Sequence, residues 1–281
     1  MSCLLQISDP HFGTEQPDVL HALERLADAL APGVVVLSGD ITQRATAAQF
    51  AAARAFADRL GRPVVAVPGN HDIPLFQLGA RVFAPYGRYR RAFGDDLEPV
   101  FESPDWQVTM VNTTRWYRHT DGAVSPAQVE RVARRLAAAS PSQVRVVVTH
   151  QPVMVTRTQG MGNRLHGREQ AVARWCAAGA DLILGGHIHL PYVRPLHDAF
   201  PGCARTAWAV QAGTAVSSRV RAGHPNSVNV VRAGMADDVA EGMAGGPRAC
   251  RVERWDYVAR DKAFGCAEVF GLSLASEAAR P

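Results

Sequence analysis

Apolar residues in the first two-thirds of the chain follow two alternating patterns. Continuous short runs occur at 4–8, 34–38, 64–67, 144–149 and 182–185. Runs of that length, apolar nearly throughout, suit strands covered on both faces. Between them, apolar positions recur at helical spacing. Val19, Leu20, Leu23, Leu26 and Leu30 mark one helix, which stops at Pro32-Gly33. Thr46 with Gln49 forms a capping-box signature for a helix running to Leu60, ended by Gly61. Ser125-Pro126-Ala127-Gln128 repeats that signature for a helix to about Ala138, with Pro in its first turn. Residues 167–178 form a fourth helical stretch before Gly179.

Helices placed between strands predict βαβ units. Two strands near 99–103 and 106–112 read as a hairpin. After residue 190 the pattern changes to short strand-like stretches at 205–211, 227–232 and 250–258, separated by turns. These predict a second, more antiparallel sheet, with residues 234–247 as a flexible hairpin tip. The expected fold is α/β: a four-layer αββα sandwich of two mixed β-sheets flanked by helices. A single domain is expected over 1–281, with a βα core at 1–190 and second-sheet strands and a tail at 191–281.

Composition narrows the picture a little. The 281 residues are 47% hydrophobic, enough for a substantial core. A net charge of +4 does not by itself indicate nucleic acid, and the chain shows no basic stripe or appended nucleic-acid module. Lys262 is the only lysine. Five scattered cysteines with no Cys-x-x-Cys suggest neither a zinc knuckle nor a disulfide framework. No secretory signal pattern opens the chain, and no apolar run approaches the ~18 residues of a membrane span. A reducing cytoplasmic location is therefore expected.

The ends of the apolar runs carry the chemistry. The first leads into Asp9-Pro10-His11, the second into Gly39-Asp40 and the third into Gly69-Asn70-His71-Asp72. The last two lead into His150 and into Gly185-Gly186-His187-Ile188-His189. In open α/β sheets ligands gather beyond the carboxyl ends of the strands. Side chains two apart on a strand share a face, so Asp9 with His11, and His187 with His189, are expected to chelate together. Two divalent ions against only two carboxylates would leave an electrophilic site attractive to phosphate. Ions ~3.5–4 Å apart can share a hydroxide, polarise a phosphoryl oxygen and support an in-line displacement. His-carboxylate sites with open positions suit Mn, Fe or Zn better than Ca.

This ordered set resembles the calcineurin-like metallophosphoesterase family, and within it the bacterial class III cyclic-nucleotide phosphodiesterases. The resemblance covers residues 9–189, and the later strands fit the family's second sheet. It implies that Asp9, His11 and His189 bind one metal, that Asp40 bridges both, and that Asn70, His150 and His187 complete the second. It implies two ions, Mn and/or Fe with Zn as an alternative. His71 would stand near the phosphate as hydrogen-bond or proton donor to the leaving oxygen. Asp72 would orient that imidazole or hold the loop; apart from the resemblance, it also reads as a helix N-cap ahead of Ile73-Pro74. Pro10 inside the first motif and Gln151-Pro152 after His150 are departures that remove no ligand.

The implied activity is that of a phosphodiesterase on small phosphodiesters such as cyclic nucleotides. The alternative is a phosphomonoesterase or a lipid- or nucleotide-headgroup hydrolase; a non-catalytic binding module on the same fold is the remote one. The expected partner is a small phosphodiester, and a homo-oligomer is left open. Other features get blander readings. Arg81, Arg88, Arg90 and Arg91 with Tyr86 and Tyr89 read as a solvated helix face rather than a phosphate-binding rim, as do Arg219 and Arg221. His166, in the loop after His150, reads as a solvated histidine. Trp116, Trp175 and Trp208 read as packing residues.

Overall fold

The computed structural model describes residues 2–203, 205–221, 223–234 and 248–275. β1 (Cys3–Ile7), β2 (Val34–Leu37) and β3 (Val64–Ala66) alternate with α1 (Pro17–Leu30) and α2 (Ala47–Arg59). Two short helices, α3 (Leu78–Phe83) and α4 (Gly87–Phe93), precede the hairpin β4 (Val100–Glu102) and β5 (Trp106–Met110). α5 (Pro126–Ala138), β6 (Val144–Val148), α6 (Arg168–Ala177) and β7 (Leu182–Gly185) complete the alternating part. Both expected capping boxes form: Thr46 accepts from Gln49 and Ser125 from Gln128, with the Gln side chains returning to the cap backbone.

The strands after residue 190 do not make a sheet of their own. β8 (Tyr192–Pro195) and β9 (Trp208–Gln211) join the sheet ordered β4-β5-β6-β7-β9-β8. β10 (Ser227–Gly234), β11 (Ala249–Val258) and β12 (Ala263–Ser273) extend the other, ordered β12-β11-β10-β1-β2-β3. Each sheet is therefore mixed: the first has a parallel centre between antiparallel edge strands, and the second is parallel over β1-β2-β3 at one side and antiparallel over β10-β11-β12 at the other. Most of the expected tip at 234–247 lies outside the described residues.

Alternation along each parallel strand explains the continuous apolar runs. Leu5, Ile7, Val35 and Leu37 face a core shared with α1 and α2. Val147 and Ile183 face a second core under α5 and α6. Leu4, Val34, Val36, Val146, Val148, Leu182 and Leu184 meet between the two sheets. The result is four layers: helices, sheet, sheet, helices.

The cysteine reading is corrected. Cys176, at the end of α6, forms a disulfide with Cys203, 27 residues later, with their Cα atoms 5.6 Å apart. The crossover through β7 and β8 brings them together, which spacing along the chain does not reveal. Cys3, Cys250 and Cys266 are free. Among the described residues no helix is long and apolar enough to cross a membrane.

Candidate metal centre

β1, β2, β3, β6 and β7 run into loops that meet at one corner of the sandwich. The proposed ligands follow two to four residues after the strand ends. Pleat alternation does not aim them, because the strands have already ended. Left-handed backbone does: Asp9 has φ 50°, His11 45°, Asp40 47°, His187 72° and His189 52°. Non-glycine residues enter that region at a cost of ~1–2 kcal/mol each. Five of the seven expected ligands are held there, which marks a site where local strain is maintained by its surroundings. The glycines serve mainly close approach. A Cβ at Gly69 would overlap the main-chain nitrogen of Asp40, and one at Gly39 would overlap the His150 ring.

Two groups of ligand atoms form around Asp40. In the first, His189 Nε2 lies 3.3 Å from Asp9 Oδ1 and 3.1 Å from His11 Nε2. In the second, His150 Nε2 lies 3.2 Å from Asp40 Oδ1 and 3.3 Å from Asn70 Oδ1, with the His187 ring 5.1 Å from that of His150. The other oxygen of Asp40 is 3.8 Å from His11 Nε2, so its carboxylate faces both groups. Asp9, His11 and His189 form one compact set and Asp40, His150 and His187 another.

The donor chemistry fits metal ions. His150 Nδ1 lies 2.9 Å from the Ser38 carbonyl, and His189 Nδ1 2.7 Å from that of Arg219. A carbonyl only accepts, so each Nδ1 carries a proton and each Nε2 faces inward as the atom that a cation would bind in place of a proton. His187 is arranged the other way round. Its Nε2 lies 3.3 Å from Asn163 Oδ1, while its buried Nδ1 has no protein partner. A buried, unpartnered imidazole nitrogen beside a carboxylate and another histidine is what a ligand atom requires.

The local field is set by burial against these charges. Burial alone would raise Asp9, yet His189 holds it at about 2. Asp40 is likewise held well below the carboxylate range, burial being outweighed by His150. Burial drops His11 to about 3 and His187 to about 4, so both present neutral rings. His150 is lifted to about 9, the pull of Asp40 exceeding the effect of burial. Cations would compete with protons for the same nitrogens.

His71 belongs to a third compact set with His11 and Asp40. Its surroundings disfavour a metal at its free nitrogen. Nδ1 lies 3.0 Å from the Gln43 carbonyl and therefore holds the fixed proton; Nε2 lies 3.2 Å from the Arg219 guanidinium. Asp72 does not touch the imidazole. Its carboxylate accepts from the backbone of Ile41, Thr42 and Gly69 and from the Thr42 hydroxyl, at 2.8–3.0 Å. It ties the loop after β2 to the loop after β3, and burial plus the Asp40 charge raises it to about 6.

A 330 Å³ cavity opens beside these residues, walled by Gln43, Arg44, Asn70, His71, Leu75 and Arg219 among others. Arg219, read from sequence as solvated, reaches Gln43 Oε1 at 3.0 Å, His71 Nε2 at 3.2 Å and His11 Nδ1 at 3.4 Å. Asn163, which steadies His187, also went unread. Neither sits in a motif, and both meet residues far away in the chain. His166 is half exposed and pairs with Asp121 at 3.7 Å rather than facing the centre. The arginine segment is not a solvated face throughout. Arg81 bonds the carbonyls of Pro74 and Arg118, Arg88 bonds that of Ala45, and Tyr89 is buried. Trp175 is buried as expected, whereas Trp116 is exposed.

Residues 4–191, more than half the chain, match the family model described as calcineurin-like phosphoesterase. A curated Synechococcus sp. sequence named "Probable cyclic nucleotide phosphodiesterase" is 28% identical over 181 residues, covering 63% of this chain and 66% of that one. A purple acid phosphatase from yellow lupin (Lupinus luteus) seeds superposes with a TM-score of 0.71 at 13% identity, over 97% of this chain and 53% of that one. A dimetal phosphatase from Danio rerio gives 0.65 at 12% identity, over 98% and 99%. The chain thus spans just under two thirds of the cyanobacterial relative and about half of the lupin enzyme. At such low identity the solved structures establish a shared fold alone, and that fold is the four-layer sandwich described above. The family match covers all five loops that carry the proposed ligands, and the chain belongs to the calcineurin-like phosphoesterase family.

Proposed function

We propose that this chain is a dinuclear metal-dependent phosphohydrolase, acting as a phosphodiesterase on small phosphodiesters with cyclic nucleotides as the leading class. The observation that carries the reading is a pair of ligand sets beside the Asp40 carboxylate, which belongs to one and lies 3.8 Å from His11 Nε2 of the other, with the unpartnered Nδ1 of His187 in the first. Asp9, His11 and His189 would hold one ion, Asn70, His150 and His187 the other, and Asp40 both. Mn and/or Fe are the expected metals, with Zn as the alternative. When bound, the ions supply Lewis-acid activation of water and of the phosphoryl group. Both sheets contribute ligands, so residues 1–281 are taken as one functional domain.

The remaining residues bind and orient. Arg219 projects its guanidinium into the cavity between His11 and His71, where a phosphate oxygen can take its hydrogen bonds. The Gln43 carbonyl fixes Nδ1–H of His71, so any proton that imidazole delivers rides on Nε2, facing the cavity. Nε2 accepts from Arg219 in this arrangement, so it would donate to a leaving oxygen only after the ring takes up a second proton and the guanidinium turns to the phosphate. A 330 Å³ cavity falls in the size range of small-ligand sites. The name of the cyanobacterial relative supports the cyclic-nucleotide class. Assays with a chromogenic phosphodiester and the matching monoester, with Mn²⁺, test the reading. Faster diester turnover is expected; inactivity on both, with the metals demonstrably bound, would sink it.

A further inference from the structure

Among the described residues ten large apolar side chains are exposed, and eight of them lie in four short segments around the cavity mouth. Residues 73–83 carry Phe76, Leu78, Val82 and Phe83; residues 115–120 carry Trp116 and Tyr117; residues 156–166 carry Met161; residues 218–221 carry Val220. Each segment touches the site. Leu75, His119, Thr120 and Arg219 wall the cavity, and Asn163 meets His187. The tips stand proud: α3 has no buried residue, Phe83 is 89% exposed and Phe76 77%. Arg81 braces α3 to the second segment through the Arg118 carbonyl, and Arg44 lies over the Phe76 ring at 5.4 Å.

Charge on these segments is one-sided. They hold seven arginines, one in the first and two in each of the others, and no Asp or Glu. The chain as a whole has 26 acidic residues against 30 basic ones. Hydrogen bonds from Arg81 and Arg221 go to backbone carbonyls, and those from Arg115 to carbonyls and the Gln128 amide oxygen, neutral acceptors that leave the charge in place. One acidic neighbour, Asp121, pairs with Arg118 at 3.6 Å just beyond the second segment.

We propose that this rim is a docking surface for an anionic phospholipid bilayer. The aromatic and aliphatic tips would enter the boundary between headgroups and acyl chains, while the arginines meet lipid phosphates. Apolar patches of this kind mark interaction sites, and charge selects the occupant. A second copy on the same face would set arginines against arginines. A nucleic acid would satisfy the charge, but Leu78, Val82, Met161 and Val220 offer it no stacking surface. A bilayer supplies both negative charge and an apolar layer. Docking would place the cavity mouth against the membrane, within reach of lipid headgroups.

The test is cosedimentation of the metal-loaded full chain with vesicles of phosphatidylcholine containing about 30 mol% phosphatidylglycerol, and with vesicles of phosphatidylcholine alone. Binding is expected only to the anionic vesicles, weakening as salt rises above about 0.15 M. Phe76→Ser with Phe83→Ser should weaken it about tenfold or more, while melting temperature and hydrolysis of a soluble chromogenic diester stay unchanged. Three results would each overturn the proposal. They are absence of binding to anionic vesicles, equal binding by the double variant, and loss of a solution dimer in that variant without any vesicle binding. Vesicle binding is read without substrate, so it stands or falls separately from the phosphodiesterase reading.

Discussion

His71 and Arg219 meet across the cavity, nitrogen to nitrogen, at 3.2 Å. In the proposed mechanism that contact separates the residues that would hold metal from those that would handle the phosphate. His71→Ala should leave metal content unchanged and slow diester turnover about 10²–10⁴-fold, with metal analysis and kcat as the paired readout. A loss of metal would instead make His71 a ligand. Arg219→Ala should raise KM and lower kcat at full metal loading, and Arg219→Lys should restore little, because a point charge does not reproduce a planar fork. The seven proposed ligands are legible in the sequence because each is a residue type able to bind metal just past an apolar run. Arg219, Gln43 and Asn163 are not, because their importance lies in partners reached only through the fold. Asp72 was legible as a site residue, but its placement selects the loop-holding role over contact with the imidazole.

At the scale of elements, the loops after the strands determine the site, and their tolerance is narrow. Gly69→Ala would drive a Cβ into the Asp40 main chain, so metal affinity and melting temperature should both fall. Gly79→Ala, on exposed α3 with nothing within 4 Å, is the control and should be near neutral or slightly stabilising. Thr46→Ala removes one half of a capping box and should cost about 1 kcal/mol in denaturant unfolding, with metal content unaffected. α1, α2, α5 and α6 and the strands β1, β2, β3, β6 and β7 were legible from periodicity and caps, since local pattern and burial agree there. β12 was not: Ala263–Ser273 includes two glycines and an exposed middle, so its strand character comes from pairing with β11 rather than from its own sequence. The alternation expected to pair Asp9 with His11 is replaced by left-handed backbone, which a sequence of non-glycine residues conceals.

For the whole molecule, two sheets meet at one corner and the proposed ions tie them together. β1, β2 and β3 deliver Asp9, His11, Asp40 and Asn70; β6 and β7 of the other sheet deliver His150, His187 and His189. Ions bound only by the folded state stabilise it by about 2.7 kcal/mol at a hundredfold excess over Kd. Chelation should therefore lower the melting temperature by several degrees, and Mn²⁺ should restore it. The division of the late strands between both sheets was not legible, because strand partners are chosen by the growing core rather than by order in the chain. The central claim is that two metal ions share Asp40. Metal content by elemental mass spectrometry, after loading with Mn²⁺ and gel filtration, tests it most directly. Two ions per wild-type chain and near-complete loss of both in Asp40→Ala are predicted; a folded Asp40→Ala chain that still carries two would contradict the account.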